Sequence, residues 1–495
     1  MVNSFKSDES FLRKLAIGAA ATNATIQQLR SMGFNPIELE RGSTGFKIWK
    51  RIKIKRNRVP DVLCLNSGLR FESRGKTKLE ISMSHSLSAP RRAWNAGMCD
   101  DDTVSIVAFK QDDDVPINLK QISPVHFVGV KDMRNAFAQR QVSITRPKGA
   151  EEGSEIRVTW ACAVAKHQST VAAVESDMIK LVPLESGAPG QSIRLRRRGN
   201  DAVPTLLPQV RAGDTVGANQ IVAAVVPVKT SLECPPPVNE DYFLRKLTSP
   251  NLSERYAAAK AMRYRGYKRK AKQALQSRMT DEAEDIYVQL EAAAALAAHS
   301  KVSGWDFIED KLKHPAMMVP LETQLETVIV ASEIDDPRSE RLLTGVLRDS
   351  ARDRELRAGA AWALGQFPSP EAAAALVDVF DASPWEVKAE AARALLRIAE
   401  PQISVLVGLL KGDAPAKRDG ISWVLARTGR FRPADAIVGA DENLRKWMSY
   451  IVGYGQDKFA QEDIEAICHT DPEVYFAASV LHQIVKSWIN GLGEY

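Results

Sequence analysis

Residues 357–364 read RAGAAWAL, and residues 388–395 repeat the same order of small and large side chains as KAEAARAL. The pattern also occurs as RYAAAKAM at 255–262 and as QLEAAAAL at 289–296. Its last large residues fall at intervals of 34, 34, 34, 31, 29, 28 and 29 residues, at Met262, Leu296, Val330, Leu364, Leu395, Val424, Val452 and Leu481. Each unit is long enough for two helices and two turns, so the sequence predicts an α-solenoid of about eight repeats.

The repeated pattern resembles HEAT and HEAT-like repeats, including the polar turn residues that precede the helix, such as Asp353 and Glu355 ahead of Arg357. The resemblance covers roughly residues 245–490. It implies a binding surface for a protein partner rather than a catalyst. An Ala-rich helical bundle without stacked repeats is the alternative, although bundles seldom keep such a period.

Composition excludes several classes of protein. The chain has 495 residues, of which 44% are hydrophobic and 26% charged, which is ordinary for globular domains and unlike disordered or collagen-like chains. The five cysteines form no CxxC pair and no zinc-binding spacing, which predicts reduced thiols and a cytoplasmic location. No stretch approaches the roughly 20 apolar residues that a membrane span requires, so no membrane partner is expected.

The net charge of +6 is unevenly distributed along the chain. Residues 1–240 carry +10 and residues 241–495 carry −4. Within the first part, residues 41–58 contain eight basic side chains and no acid, and residues 44–55 alternate as a strand with one basic face. This density predicts a polyanion partner, nucleic acid, bound by Lys47, Lys50, Arg51, Lys53, Lys55, Arg56 and Arg58.

Two carboxylates follow the basic segment. Residues 61–65 are predicted as a buried strand, 66–68 as a tight turn and 69–76 as the returning strand. Paired strands would bring Asp61 and Glu72 to a common side, where two carboxylates can hold Mg²⁺ or Mn²⁺. Arg74 and Lys76 share the face of Glu72, because alternate residues of a strand point the same way. This arrangement is the one that metal-assisted phosphodiester hydrolysis needs.

The same segment resembles the PD-(D/E)xK restriction-endonuclease-like superfamily, with Pro60 and Asp61, a hairpin, and then Glu72-x-Arg74. The resemblance implies that Asp61 and Glu72 are metal ligands and that Glu40, on a short helix before the basic strand, is an additional acid. It departs from the family at Arg74, where a lysine is usual, and arginine is a poor proton-transfer group. Lys76 is the candidate substitute. If neither side chain serves, the domain binds nucleic acid without cutting it.

The middle of the chain is predicted to be rich in short strands. Residues 149–229 alternate such strands with Gly and Pro turns, which predicts a small all-β barrel or sandwich. The stretch 210–223 resembles the hairpin of lipoyl- and biotinyl-like barrel-sandwich hybrids, without their modified lysine. The predicted organisation is therefore a 1–148 α/β nuclease-like domain, the 149–229 β module, a 230–242 Pro-rich linker and a 243–495 solenoid.

These predictions give one main functional hypothesis and two alternatives. The main one is a Mg²⁺-dependent endonuclease that cuts DNA rather than RNA, with a solenoid for a partner or substrate, and by resemblance a role in prokaryotic defence. The first alternative is a non-catalytic HEAT-repeat scaffold that binds nucleic acid through its basic N-terminal domain. The second is a subunit that acts only within a larger assembly.

Overall fold

A mixed β-sheet with helix α1 (Glu9–Ser31) on one face forms the N-terminal part of the protein. We describe a computed structural model over residues 9–39, 58–111, 119–146, 155–196, 205–314, 318–412, 414–428, 431–456 and 458–491. The chain divides into two units, Met1–Ala295 and Leu296–Tyr495, each described below by itself.

The predicted hairpin is present in the first unit. Strands β1 (Pro36–Glu38), β2 (Val62–Cys64) and β3 (Arg70–Lys76) pair antiparallel in that order, and Gly68 makes the β2–β3 turn with a φ of +73° that favours glycine. Strand β5 (Thr103–Gln111) pairs parallel to β3 and is flanked by β6 (Leu119–Gln121) and β7 (His126–Gly129). Residues 36–38 therefore form a strand where a short helix before the basic segment was predicted; Glu40 itself lies outside the described residues.

The two faces of this sheet have different cores. On one face α1 packs on β3 so closely that a Cβ at Gly75 would lie 2.5 Å from the Ile17 carbonyl oxygen. On the other face, Trp94, Val104 and Trp160 belong to a core that also includes α2 (Val130–Ala138). The alternation of residues along β3 therefore directs Phe71 and Gly75 to the α1 side and Glu72, Arg74 and Lys76 to the opposite side.

Three small antiparallel sheets follow. Strand β9 (Glu155–Trp160) lies between β4 (Ile81–Ser86) and β8 (Val142–Thr145). The other two sheets have the orders β10-β16-β14 and β13-β12-β11-β15. Their strands are β10 (Cys162–Val164), β11 (Ser169–Val174), β12 (Met178–Pro183), β13 (Gln191–Arg194), β14 (Leu207–Pro208), β15 (Thr215–Val216) and β16 (Ile221–Ala224).

The predicted barrel is not what the described strands form. Over those residues, the two sheets β10-β16-β14 and β13-β12-β11-β15 stay open and share a core around Val171, Ile179 and Val222, which is the sandwich alternative. Strand β9 falls inside the predicted 149–229 module but hydrogen-bonds to β4 of the preceding part. The domain boundaries remain predictions.

Helices complete the first unit. They are α3 (Glu240–Leu247), α4 (Leu252–Arg263), α5 (Arg269–Thr280) and most of α6 (Ile286–Ala298). Helix α4 is fastened to the sheet by polar contacts, because Arg70 of β3 donates to Ser253 Oγ over 2.9 Å and Ser253 Oγ also donates to the Gly97 carbonyl oxygen. Arg255, in the first turn of α4, forms an ion pair with Glu284.

The second unit is helical throughout its described residues. Its helices are α7 (Val302–Lys313), α8 (Leu321–Ser332), α9 (Pro337–Arg348), α10 (Arg354–Leu364), α11 (Pro370–Asp378), α12 (Trp385–Leu410), α13 (Pro415–Thr428), α14 (Pro433–Ala436), α15 (Glu442–Tyr454), α16 (Gln461–Cys468) and α17 (Pro472–Gly491). Helices α8, α10, α12, α13, α15 and α17 pack each on the next, and we call them the inner helices. In α10 and α12 buried alanines such as Ala361 and Ala391 let the helix backbones approach closely.

The inner helices carry the repeated large residues predicted from the sequence. Val330, Leu364, Leu395, Val424 and Val452 are completely buried, whereas Leu481 of α17 is 49% exposed. Helix α12 joins both helices of its repeat without a turn and contains Pro401. A continuous helix is compatible with a proline at the cost of one backbone hydrogen bond.

A hydrogen bond from a basic side chain to a backbone carbonyl oxygen recurs near the start of three inner helices. Arg357 donates to the Leu347 carbonyl oxygen over 2.9 Å, Lys388 donates to that of Asp381 over 3.1 Å, and Arg418 donates to that of Gly412. Each basic side chain thus binds a carbonyl group in the last turn of the preceding helix or in the loop just after it. Asp378 links repeats in a similar way, since it pairs with both Arg348 and Lys417.

Candidate functional site

The hairpin brings the two predicted carboxylates opposite each other. In the antiparallel register, Val62 faces Phe71 and Leu63 faces Arg70. Continued by one residue, this register sets Asp61 opposite Glu72. The Asp61 carboxylate accepts a hydrogen bond of 2.6 Å from the Ser73 backbone N–H, which fixes its position beside β3.

The basic side chains predicted beside Glu72 have different partners. Arg74 forms an ion pair with Glu72. Lys76 Nζ donates to the Ser82 carbonyl oxygen over 2.7 Å and to Ser82 Oγ over 2.8 Å. Burial lowers the pKa of Lys76 to about 8, so this amine exchanges a proton near neutral pH more readily than an ordinary lysine does.

Among the described residues, Asp61 and Glu72 alone do not make up a metal site. The Glu72 carboxylate is paired with a guanidinium, whose positive charge opposes a cation at the same oxygens. Over the described part of the chain, no group of three or more His, Cys, Asp or Glu side chains could hold a metal. We therefore derive no catalytic step through Mg²⁺ or Mn²⁺ at this hairpin.

Most of the predicted nucleic-acid contacts lie outside the described residues. These are Lys47, Lys50, Arg51, Lys53, Lys55 and Arg56, together with the third predicted metal ligand, Glu40. Arg58 is described, and its guanidinium donates to the Ala93 carbonyl oxygen over 3.2 Å. The structure thus brings together Asp61, Glu72 and Arg74, with Lys76 directed to Ser82.

A small cavity in the first unit is lined by charged side chains that the sequence analysis did not single out. Arg70, Asp102, Tyr242, Lys246 and Glu254 contribute to its wall, and its volume is about 20 Å³. This volume holds about one water molecule, so the cavity has no room for a substrate. Its charged groups serve to join β3 to α3 and α4.

An aromatic surface lies on two successive inner helices of the second unit. We define it as Trp423 and Arg427 of α13 with Trp447, Tyr450 and Tyr454 of α15. The Arg427 guanidinium lies 4.5 Å from the centre of the Trp423 ring. All four aromatic side chains are partly exposed.

The rings of the aromatic surface are ordered by contacts with one another. Trp447 and Tyr450 meet edge to face with centroids 5.7 Å apart, and Tyr450 and Tyr454 stack at 6.1 Å with an interplanar angle of 10°. Burial raises the pKa of Tyr450, and the charge of Asp419 on α13 raises it further. The charge effect of Asp419 places Tyr450 close to α13, the helix that carries Trp423.

Sequence reasoning missed this surface. Its signal is the i, i+3, i+7 spacing of Trp447, Tyr450 and Tyr454, which puts three aromatic side chains on one side of a helix. That spacing also fits a buried core stripe, and only the partial exposure of the rings separates the two interpretations.

Comparison with known proteins bears on the helical region. A model of the family described as HEAT repeats matches residues 320–396, which cover α8 to the middle of α12. The C-terminal region therefore contains HEAT repeats, as the period predicted. No curated protein matches the chain. Over the described residues, no helix has both the length and the apolarity needed to cross a membrane.

Solved structures resemble about half of the chain at low similarity. The complex of CpcE and CpcF of phycocyanin lyase from Nostoc sp. PCC7120 is 18% identical, covers 48% of this chain and 96% of that one, and has a TM-score of 0.25. A mutant of Kap121p is 14% identical, with 50% and 32% covered and a TM-score of 0.31. Human deoxyhypusine hydroxylase is 15% identical, with 42% and 83% covered and a TM-score of 0.22.

Proposed function

We propose that the protein is a scaffold whose HEAT repeats bind a protein partner through the aromatic surface of α13 and α15. The observation that carries this proposal is that Trp423, Trp447, Tyr450 and Tyr454 are partly exposed on consecutive inner helices. Helices that pack only on one another would not need four partly exposed aromatic rings on two neighbouring members.

The chemistry of the aromatic surface suits a protein partner. Tryptophan, tyrosine and arginine dominate the residues that contribute most to protein association, because they offer large apolar area together with a polar group. The ring contacts and the Trp423–Arg427 stack hold these side chains in place before binding, which lowers the entropy that association costs.

Affinity purification of the full chain from its own cells tests this proposal. We expect a specific protein to be recovered with the native chain and to fall at least about tenfold when Trp447→Ala and Tyr450→Ala are combined, as for loss of an interface hot spot. Trp385→Ala is the matched control, because this indole is 68% exposed at the start of α12, outside the aromatic surface. Equal recovery from the native chain and the double variant would contradict the proposal.

A metal-dependent nuclease is the second candidate, and the hairpin register favours it by setting Asp61 opposite Glu72. The assay is cleavage of plasmid DNA, single-stranded DNA and RNA by the full chain with Mg²⁺ or Mn²⁺. This candidate predicts cleavage that Asp61→Asn and Glu72→Gln each abolish, while Glu175→Gln, which removes an exposed carboxylate paired with Lys180, leaves it intact. No cleavage, or cleavage that survives both substitutions, removes it. The predictions that DNA is the substrate and that the protein acts in defence both require that this assay detect cleavage.

A further inference from the structure

A second basic run lies at the start of the helical region. The net charge of residues 241–495 is negative and so gives no sign of it. Residues 263–272 read RYRGYKRKAK and contain six basic side chains and no acid. Residues 241–295 carry 11 Lys and Arg against 7 Asp and Glu, whereas residues 296–495 carry 22 against 30. The positive charge of the helical region is thus concentrated in its first repeats.

The structure separates these six cations into two groups. Arg263 is buried and forms an ion pair with Glu291, and Arg265 donates to the carbonyl oxygens of Leu65 and Val238. These two side chains hold the fold together. The other four are exposed at the start of α5, and we call them the basic cluster: Lys268, Arg269, Lys270 and Lys272.

The basic cluster has one described carboxylate beside it, Glu240, which accepts a hydrogen bond of 3.1 Å from the Lys268 backbone N–H and not from a cluster side chain. Among residues that the structure describes, none of its four side chains forms an ion pair, although Lys246 and Arg255 of the adjacent helices and Arg278 at the other end of α5 all do. The first turn of α5 also contains no acid. Cations at a helix N-terminus interact unfavourably with the helix dipole, so the basic cluster does not stabilise α5.

An exposed aromatic ring precedes the cluster by four residues in the chain. Tyr264, at the end of α4, is 46% exposed, and the Arg263 guanidinium lies 5.9 Å from the centre of its ring. Cations next to an exposed ring match single-stranded nucleic acid, whose phosphates bind the cations and whose unpaired bases stack on the ring. An acidic polypeptide would use the charges but not the ring.

We propose that Tyr264 and the basic cluster form a binding surface for single-stranded nucleic acid on the first repeats. The cations contact phosphates and Tyr264 stacks on a base. This surface uses residues other than those of the predicted basic segment at 41–58, and it does not depend on the aromatic surface of α13 and α15.

The test is the fluorescence anisotropy of a labelled oligothymidylate of about 20 nucleotides, titrated with the full chain between 50 and 200 mM salt. Changing all four cluster residues to Gln is expected to weaken binding at least tenfold at low salt. The slope of log affinity against log salt should become shallower by about 3, since each lost single-strand phosphate contact removes about 0.7. Tyr264→Ala should weaken binding fivefold or more, and Tyr264→Phe should retain it.

The control variant removes four exposed cations of the second unit, again by Gln, and should bind as the native chain does: Arg341, Lys411, Arg445 and Lys458. A third variant changes Lys50, Arg51, Lys53 and Lys55 to Gln. The proposal is overturned if the cluster variant keeps its affinity and salt slope, or if only the third variant loses binding. It is also overturned if poly-glutamate competes as well as the oligonucleotide, because charge alone would then explain the surface.

Discussion

Replacing Asp102 by asparagine is expected to destabilise the first unit by about 3–5 kcal/mol, which is the usual cost of breaking a buried ion pair. The Arg70 guanidinium binds the Asp102 carboxylate through two hydrogen bonds of 2.8 and 2.6 Å, and the two side chains are only 5% and 4% exposed. Asparagine cannot accept both bonds or neutralise the guanidinium, so Asp102→Asn leaves a buried charge without its counter-ion. Hydrogen exchange of the β3 and β5 amides measures the loss.

Asp100→Asn is the matched control for that prediction. Asp100 lies two residues before Asp102 in the same acidic run. It pairs with Arg134, but both side chains of this pair are partly exposed. Solvent-exposed pairs contribute at most about 1 kcal/mol, so this variant should exchange almost as the native chain does. Equal effects of the two substitutions would show that burial of the Arg70–Asp102 pair is not what matters.

Leu364→Ala is expected to cost about 2–5 kcal/mol in the second unit, because it opens a cavity between packed helices. Leu364 is completely buried in α10, which packs on α8 and α12. Leu481→Ala, at the corresponding repeat position of α17, should cost no more than about 0.5 kcal/mol because its side chain is half exposed. Urea unfolding followed by hydrogen exchange of the inner helices measures the free energy of unfolding of both variants. Similar losses of this free energy in the two variants would contradict the packing described here.

These two leucines show what the sequence could predict about the solenoid. Large residues at a constant period mark the buried line of stacked helices, and all of them up to Val452 are buried. At Leu481 of α17 the same pattern has a different outcome, since this side chain is 49% exposed. The sequence pattern marks the position of a large residue in its repeat, and only the structure shows how far that residue is buried.

The hairpin was predictable and its chemistry was not. Alternating side chains and a turn glycine are local signals, and they gave the β2–β3 pairing that sets Asp61 opposite Glu72. The contacts that decide what these groups can do come from distant residues or from side-chain geometry. The Arg74–Glu72 ion pair and the burial of Lys76 against Ser82 are examples.

Long-range pairing explains the other differences. Strand β9 falls in the predicted β module, but it pairs with β4, whose partner residues lie 69 to 79 positions earlier. Arg70 contacts Ser253 across 183 residues, and no local pattern marks either residue as a partner. The basic cluster of α5 escaped notice because the acidic residues that follow it cancel its charge when the chain is counted by halves.

Site-specific photo-crosslinking tests the proposed scaffold function most directly. A p-benzoylphenylalanine at position 447 of the full chain, illuminated in its own cells, should give one discrete crosslinked protein identifiable by mass spectrometry. The same group at position 466, an exposed alanine on α16, is the control and should not give that product. Crosslinking of the partner from 447 alone is the result we predict. No crosslinked protein from 447, or the same products from both positions, would contradict a protein-binding surface on α13 and α15.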